Sequence, residues 1–387
     1  MPDGIYARNG FLPDGIKNLM SMYQAINDLP ESHKGFTLDN LIALREHLRK
    51  QIPTRTVQST LLLATWNIRD FDSNQFGHGP RLPECYFYIA EIINSFDLIA
   101  LQEVNEDLTA LTKVMQILGP SWDYIATDHN EGSGRNQERM VFLFDTRKVR
   151  FKNIAGEIVL PKRKLILGGL QFTRTPFLVF FQSGWFKFSL CTVHIYFGES
   201  SGAGYQRRVE EINSISNFLA GRAQKEESNI ILLGDFNITG LEDETMLALK
   251  KGGFVIPAEL QYKTNMKRDM HYDQIAFMLR KDELQLGNST PNAGVFNYYE
   301  VLFKPDMYPH YHHLIQNREV EAYRSVEEMN KVKGKWERGM DGKPMDNDQR
   351  KSYFQDVWRT FQMSDHLPLW VELKIDFSDA YLSQLTL

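Results

Sequence analysis

The residues that first draw notice are polar side chains standing at the ends of apolar runs. Asn67 follows LLLATW, Glu103 follows DLIALQ, and His194 follows FKFSLCTV. Asp235 and Asn237 follow NIILLG, Asp273 precedes QIAFML, and Asp365 with His366 precedes LPLWVEL. Singly, each has a dull explanation as a turn, a cap or a satisfied side chain. Together, several carboxylates, two amides and two histidines are too costly to bury as mere structure. The chemistry they suit is metal-assisted phosphoester hydrolysis. A phosphodiester is anionic and repels hydroxide, so its cleavage needs a divalent cation and protonated donors. The hard oxygens of Glu103 suit Mg²⁺. Asp235 and Asn237, on one turn, can polarise and orient a water. His366 held by Asp273 is an imidazolium that can stabilise charge developing on phosphorus.

Other chemistries lack their residues. No Cys₂His₂ or HExxH spacing supports zinc, and there is no GxxxxGK[ST] loop or GxSxG elbow. Net charge of -5 disfavours a protein that coats nucleic acid by bulk charge, although basic clusters stand at Lys162-Arg163-Lys164, Arg207-Arg208 and Lys267-Arg268. A hydrophobic fraction of 42% and a charged fraction of 24% exclude disorder. Cys85 and Cys191 form neither a metal spacing nor a secreted-type framework. With no signal-like start and no membrane-length apolar run, the expected location is cytoplasmic.

The elements that must position these groups are legible as a pattern. The apolar runs are strand-length and rich in β-branched and aromatic residues. Amphipathic stretches at 83–96, 106–118 and 205–223 lie between them, which predicts sheets covered by helices. Ahead of them, 1–58 reads as a helical arm, with Thr37 as the cap of a helix carrying Leu38, Leu41, Ile42, Leu44 and Leu48 and ended by Pro53. A segment at about 297–359 breaks the pattern with aromatics, histidines and then a charged, helix-compatible stretch, and reads as an insertion. Its Tyr308 and Tyr311 are candidates for stacking on bases, set against packing together as an aromatic cluster.

In order, TWNIRDF, ALQEV, TVH, GDFNI, YDQI and SDHLP resemble the motif series of the endonuclease/exonuclease/phosphatase superfamily, from about Leu61 to Ile375 with the insertion outside the match. The resemblance implies an α/β (α+β) fold, a four-layered sandwich of two packed mixed β-sheets flanked by helices, over residues 59–376, with 377–387 as a tail. It also implies Asn67, Glu103 and Asp365 as holders of Mg²⁺, with Mn²⁺ as a substitute. His194, Glu138, Asp235, Asn237, Asp273 and His366 become the catalytic set.

Within the superfamily the motifs are most similar to the deoxyribonuclease I family. There, Arg69 of TWNIRDF reaches towards phosphate, with Asn237 also on the substrate, and Glu138 of GRNQER orients His194. Two His–carboxylate pairs follow, His194 with Glu138 and His366 with Asp273, each expected to raise its imidazole pKa. Departures are visible: Asn105 replaces an arginine after QEV, the loop before Glu138 is shorter, and the groove-stacking tyrosine and the disulfides are missing. WNIRD and QEVN do not fit apurinic-site endonucleases, and HYDQIAF does not fit inositol-polyphosphate phosphatases. The expected activity is a metal-dependent nuclease on DNA or RNA. The alternatives are a phosphodiesterase or phosphatase on lipid or small nucleotides and, in another class, an inactive binding module.

Overall fold

The run TLLLATWNIRDF forms strand β1 (Thr60–Phe71), and its alternate residues enter two separate cores, which is why the run is apolar at nearly every position. Leu62, Ala64, Trp66 and Ile68 face one core; Leu61 and Leu63 face the other. The protein is seen here as a computed structural model that describes residues 26, 27, 29, 31–71, 76–128, 138–226, 229–278, 285–316 and 346–385. The loop 129–137, with Arg135, and the charged stretch SVEEMNKVKGKWERG lie outside the described residues.

The first sheet adds β2 (Leu98–Asn105), β3 (Trp122–Ala126), β4 (Glu138–Asp145), β10 (Ala293–Val295) and β11 (Leu369–Lys374), in the order β10-β11-β1-β2-β4-β3. The second runs β5-β6-β7-β8-β9, made of Val149–Glu157, Phe177–Ser183, Phe186–His194, Asn229–Asp235 and Asp273–Met278. β1 with β2 and β7 with β8 are parallel pairs in otherwise antiparallel sheets. The sheets pack face to face. Gln102 of β2 joins them, its Nε2 donating to Thr65 Oγ1 of β1 at 3.1 Å and to Thr192 Oγ1 of β7 at 2.8 Å.

Helices α1 (Glu31–Gln51), α2 (Pro83–Ile93) and α3 (Thr109–Leu118) cover the first sheet through Leu44, Leu48, Tyr88, Ile92 and Val114. α4 (Gly202–Glu226) and α5 (Glu244–Lys251) bring Ile212, Ile215, Leu219, Met246 and Leu249 to the second core. Two sheets flanked by helices make the four-layered sandwich. α1 starts at Glu31 rather than at Thr37, whose Oγ1 instead donates to the His33 carbonyl at 2.9 Å inside the helix. It stops at Gln51, two residues before Pro53, which disfavours helical backbone at the residue before it. No helix among the described residues is long and apolar enough to cross a membrane.

Tyr298, Tyr299, Tyr308 and Tyr311 are not available to bases. They are buried in the core shared with α1 and α2. Phe303 stacks on Tyr311 at 4.9 Å between ring centroids, and His310 stacks on Phe36 of α1 at 3.6 Å. The reason is energetic: each ring removed from water contributes about 1.5–3 kcal/mol. Cys85 and Cys191 are buried thiols in different cores, with no disulfide between them.

Candidate active site

Three of the polar strand ends fall on one row of the second sheet. His194 of β7 is the Cα partner of Asp235 of β8, and Asp235 is the partner of Asp273 of β9. Residues opposite one another in a ladder share a face, and Thr192, two residues before His194, points that face at the first sheet. Gly234 must be glycine for the row to form. Its φ is +130°, and a Cβ there would meet the Val193 carbonyl oxygen at 2.1 Å.

The first sheet contributes from β1, β2 and β4. Asn67 continues the Leu61–Leu63 face of β1 and meets the row directly. Its Nδ2 donates to Glu103 Oε1 and to Asp235 Oδ2, both at 3.0 Å. Strict alternation along β2 would send Glu103 to the other face. Instead the pairing shifts between Leu101 and Val104, and Glu103 takes φ +60°, a bulge that turns its carboxylate inward. Left-handed backbone costs a non-glycine residue about 1–2 kcal/mol. The Asp70 N–H also donates to Glu103 Oε2 at 3.0 Å. Burial pushes the Glu103 carboxyl up, but His194, the Asp70 N–H, the Asn67 amide and His366 hold it down to about 2.

His366 lies between two carboxylates. Its Nδ1 is 2.8 Å from Asp273 Oδ2 and its Nε2 3.8 Å from Asp235 Oδ2. Burial works against its charge, yet Asp273, Asp235 and Asp365 raise its pKa well above the ordinary histidine value. Its main chain is fixed as well: Trp66 Nε1 and the Tyr298 hydroxyl donate to its carbonyl at 3.0 and 2.8 Å. Ser364 Oγ donates to the Asn67 carbonyl at 2.6 Å and accepts the His366 N–H at 3.0 Å. Tyr298 thus makes part of the 297–359 segment a buttress for the His366 loop.

His194 differs from its expectation. Nδ1 faces Glu138 Oε2 at 3.2 Å, but its pKa falls to about 4 instead of rising. Burial is the main cause. Next comes Arg174, which forms an ion pair with Glu138 and sets a positive charge beside the imidazole; Asp235 and Glu103 only partly offset these. Asp235 is pushed up by burial, opposed by His366 and His194. Its Oδ1 accepts the Asn237 N–H at 2.9 Å, with Asn237 at φ +54°.

Asp365 is half-exposed and pairs with Arg69 at 3.3 Å. Arg69 also donates to Thr360 Oγ1 at 2.6 Å and lies over the Phe361 ring at 3.9 Å. Among the described residues, two clusters of three could share one ion, Glu103 with Glu138 and His194, and Asp235 with Asp273 and His366, their ligand atoms within 4.8 Å of one another in each case.

Two contributors escaped the sequence reading. Arg174 was a lone charge before an apolar strand, and only its place in RTPFLVFF could have flagged it. Thr264 donates to Asp273 Oδ2 at 2.6 Å and accepts the Asp273 N–H at 2.9 Å, from a loop with no sequence signal. Of the basic pairs, Arg208 is buried and holds backbone carbonyls.

A family model described as the Endonuclease/Exonuclease/phosphatase family matches residues 64–297. No curated protein matches the chain. Among solved structures, an endonuclease/exonuclease/phosphatase from Bacteroides vulgatus is similar at 12% identity, covering 82% of this chain and 100% of that one, with a TM-score of 0.48. The Bacteroides thetaiotaomicron mannosyl-6-phosphatase is similar at 18% identity over 81% of this chain and 99% of its own, at 0.46. The human Nocturnin catalytic domain with bound sulfate is 14% identical over 59% and 85%, at 0.45.

Proposed function

The chain belongs to the endonuclease/exonuclease/phosphatase family, and on that premise we propose that it is a Mg²⁺-dependent phosphodiesterase, a nuclease that hydrolyses DNA or RNA by attack of water. The observation that carries this reading is the convergence of Asn67, Glu103, His194, Asp235 and His366, with one Asn67 amide nitrogen bound to two carboxylates from different sheets.

The donor set fits a hard cation. Asn67 Oδ1 is buried and accepts no hydrogen bond among the described residues, while its Nδ2 is committed on the other side. A buried oxygen without a donor is the kind of group that a cation satisfies. Asn67 and Glu103 would hold it, with Asp365 as the third residue assigned from the motifs. Bound there, Mg²⁺ would neutralise phosphate charge. Mn²⁺ is the expected substitute.

The side chains do the rest. Asp235 accepts a proton from a water that Asn237 helps to orient, and the water oxygen bonds to phosphorus. His366, charged and clamped by Asp273, stabilises the extra negative charge on the phosphoryl oxygens. The bond to the leaving oxygen then breaks, its electron pair stays on that oxygen, and the oxygen takes a proton from solvent water. Neutral His194, beside Glu103 and Asp235, orders this side of the cleft. Arg69, partly exposed beside Asp365, is the group assigned to a neighbouring phosphate, a contact that a substrate with a chain of phosphates would offer.

The deciding assay sets plasmid DNA, RNA, bis-p-nitrophenyl phosphate and phosphoinositides against the purified protein, with Mg²⁺ or EDTA. Cleavage of a nucleic acid that EDTA abolishes is the expected result. Hydrolysis confined to phosphoinositides, or indifferent to EDTA, would overturn it.

A further inference from the structure

Beside His366 the cleft carries two aromatic rings that the proposed chemistry does not use. Tyr272, the residue before Asp273, is half-buried, with its ring centroid 5.5 Å from that of His366 and the planes 31° apart. Phe197 stands edge-on to Tyr272 at 6.4 Å and is 57% exposed. A large apolar ring left in water gains nothing for the fold, and a loose loop would let it turn away.

This loop is not loose. The buried Arg208 of α4 donates to the carbonyls of Tyr196, Gly198 and Glu199 at 3.2, 3.3 and 3.2 Å, and to that of Asn237 at 3.0 Å. Its guanidinium also lies 5.5 Å from the Phe197 ring. Gly198 adopts φ +57°, where a Cβ would meet the Tyr196 ring at 2.3 Å, so the turn admits only glycine. One cation therefore locks both the turn that presents Phe197 and the Asn237 backbone of the reactive centre. Lys267 and Arg268 are exposed on a turn tied to the His366 strand end, where Met266 N–H donates to the Asp365 carbonyl at 2.7 Å and Asn265 bridges to His366.

We propose that Phe197 and Tyr272 form a stacking subsite for the nucleobase next to the scissile phosphate, with Lys267 and Arg268 on the adjoining backbone. It rests on the nuclease reading and deepens it. Every base offers a π-face, so such a subsite selects nucleotidic over sugar or lipid phosphoesters without selecting a sequence. Stacking one base on an aromatic side chain is large enough to change affinity about tenfold or more.

The experiment compares an oligothymidylate with an equally long oligomer of abasic tetrahydrofuran units, which keeps the phosphates and removes the bases. Wild-type kcat/KM should favour the thymidylate by about tenfold or more. Phe197→Ala should bring that ratio close to one, chiefly through KM, and Phe197→Trp should keep it. Tyr272→Leu serves as a second variant, with melting curves confirming that each is folded. A folded Phe197→Ala that keeps the wild-type ratio overturns the subsite and leaves the nuclease reading standing. A wild type that cleaves neither of these oligomers nor an oligouridylate, but hydrolyses bis-p-nitrophenyl phosphate, overturns both.

Discussion

Asn67 and Asp235 are in direct contact: the amide Nδ2 of one donates to Oδ2 of the other at 3.0 Å, joining β1 in one sheet to the end of β8 in the other. The same nitrogen donates to Glu103, so a single amide spaces two carboxylates that would otherwise repel. Its oxygen is thereby turned the opposite way, buried and without a hydrogen-bond donor among the described residues.

Asn67→Ala removes that spacer and the oxygen together. The Mg²⁺ concentration for half-maximal activity should rise about 10- to 100-fold, the scale for losing a group that shapes a metal site. A Mg²⁺ titration of hydrolysis, with calorimetry on the same variant, makes the check. An unchanged half-saturation would place the ion elsewhere.

Glu138 and Arg174 form a buried ion pair beside His194. Removing either partner leaves the other charge stranded, so Glu138→Gln or Arg174→Met should each cost about 3–5 kcal/mol in stability. The double variant should cost clearly less than the sum. Urea unfolding of the four proteins gives the coupling, and strictly additive costs would show that the two charges do not depend on each other.

Far from the site, Asp145 at the end of β4 is held by Arg55 and Arg147, with Arg147 Nε at 2.9 Å from Oδ1. Burial pushes its carboxyl up, but the two arginines outweigh this and lower its pKa in the folded state. The unfolded chain therefore takes up the proton first as pH falls. The stabilisation is complete above the unfolded value of about 4 and is lost as pH drops through the lower folded one. Asp145→Asn should cost about 1.5–3 kcal/mol at pH 7, with the gap from wild type closing below about pH 4. Urea unfolding between pH 7 and pH 3 reads it, and a gap constant with pH would locate acid sensitivity in other groups.

How far this was legible in sequence depended on whether a residue's place followed from local pattern. His194, Asp235 and Asp273 could be found because each borders an apolar strand, and a strand end is a fixed position. The inward turn of Glu103 could not be found, since period-two alternation points it outward and only the bulge reverses that. Thr37 looked like a cap because the apolar spacing begins there, yet helix continues back to Glu31 through residues with no such spacing. Tyr308 and Tyr311 fitted both a stacking surface and a packed aromatic cluster, and the structure shows the cluster. Their burial depends on α1, hundreds of residues earlier, which no local window contains. Arg174 and Thr264 act from loops, where neither period nor capping applies.

The hydrogen bond from Trp66 to the His366 carbonyl spans 300 residues of chain. During synthesis at about 5–20 residues per second, β1 would wait roughly 15–60 s for the segment that closes its row. Over that interval Leu61 to Ile68, apolar on both faces, has no β11 to pair with. The newborn chain thus carries an open strand edge until that segment emerges, a span in which holdase chaperones would be its natural company. Any ribosome stall before the SDHLP segment would leave the Asp235 and Asp273 row without His366.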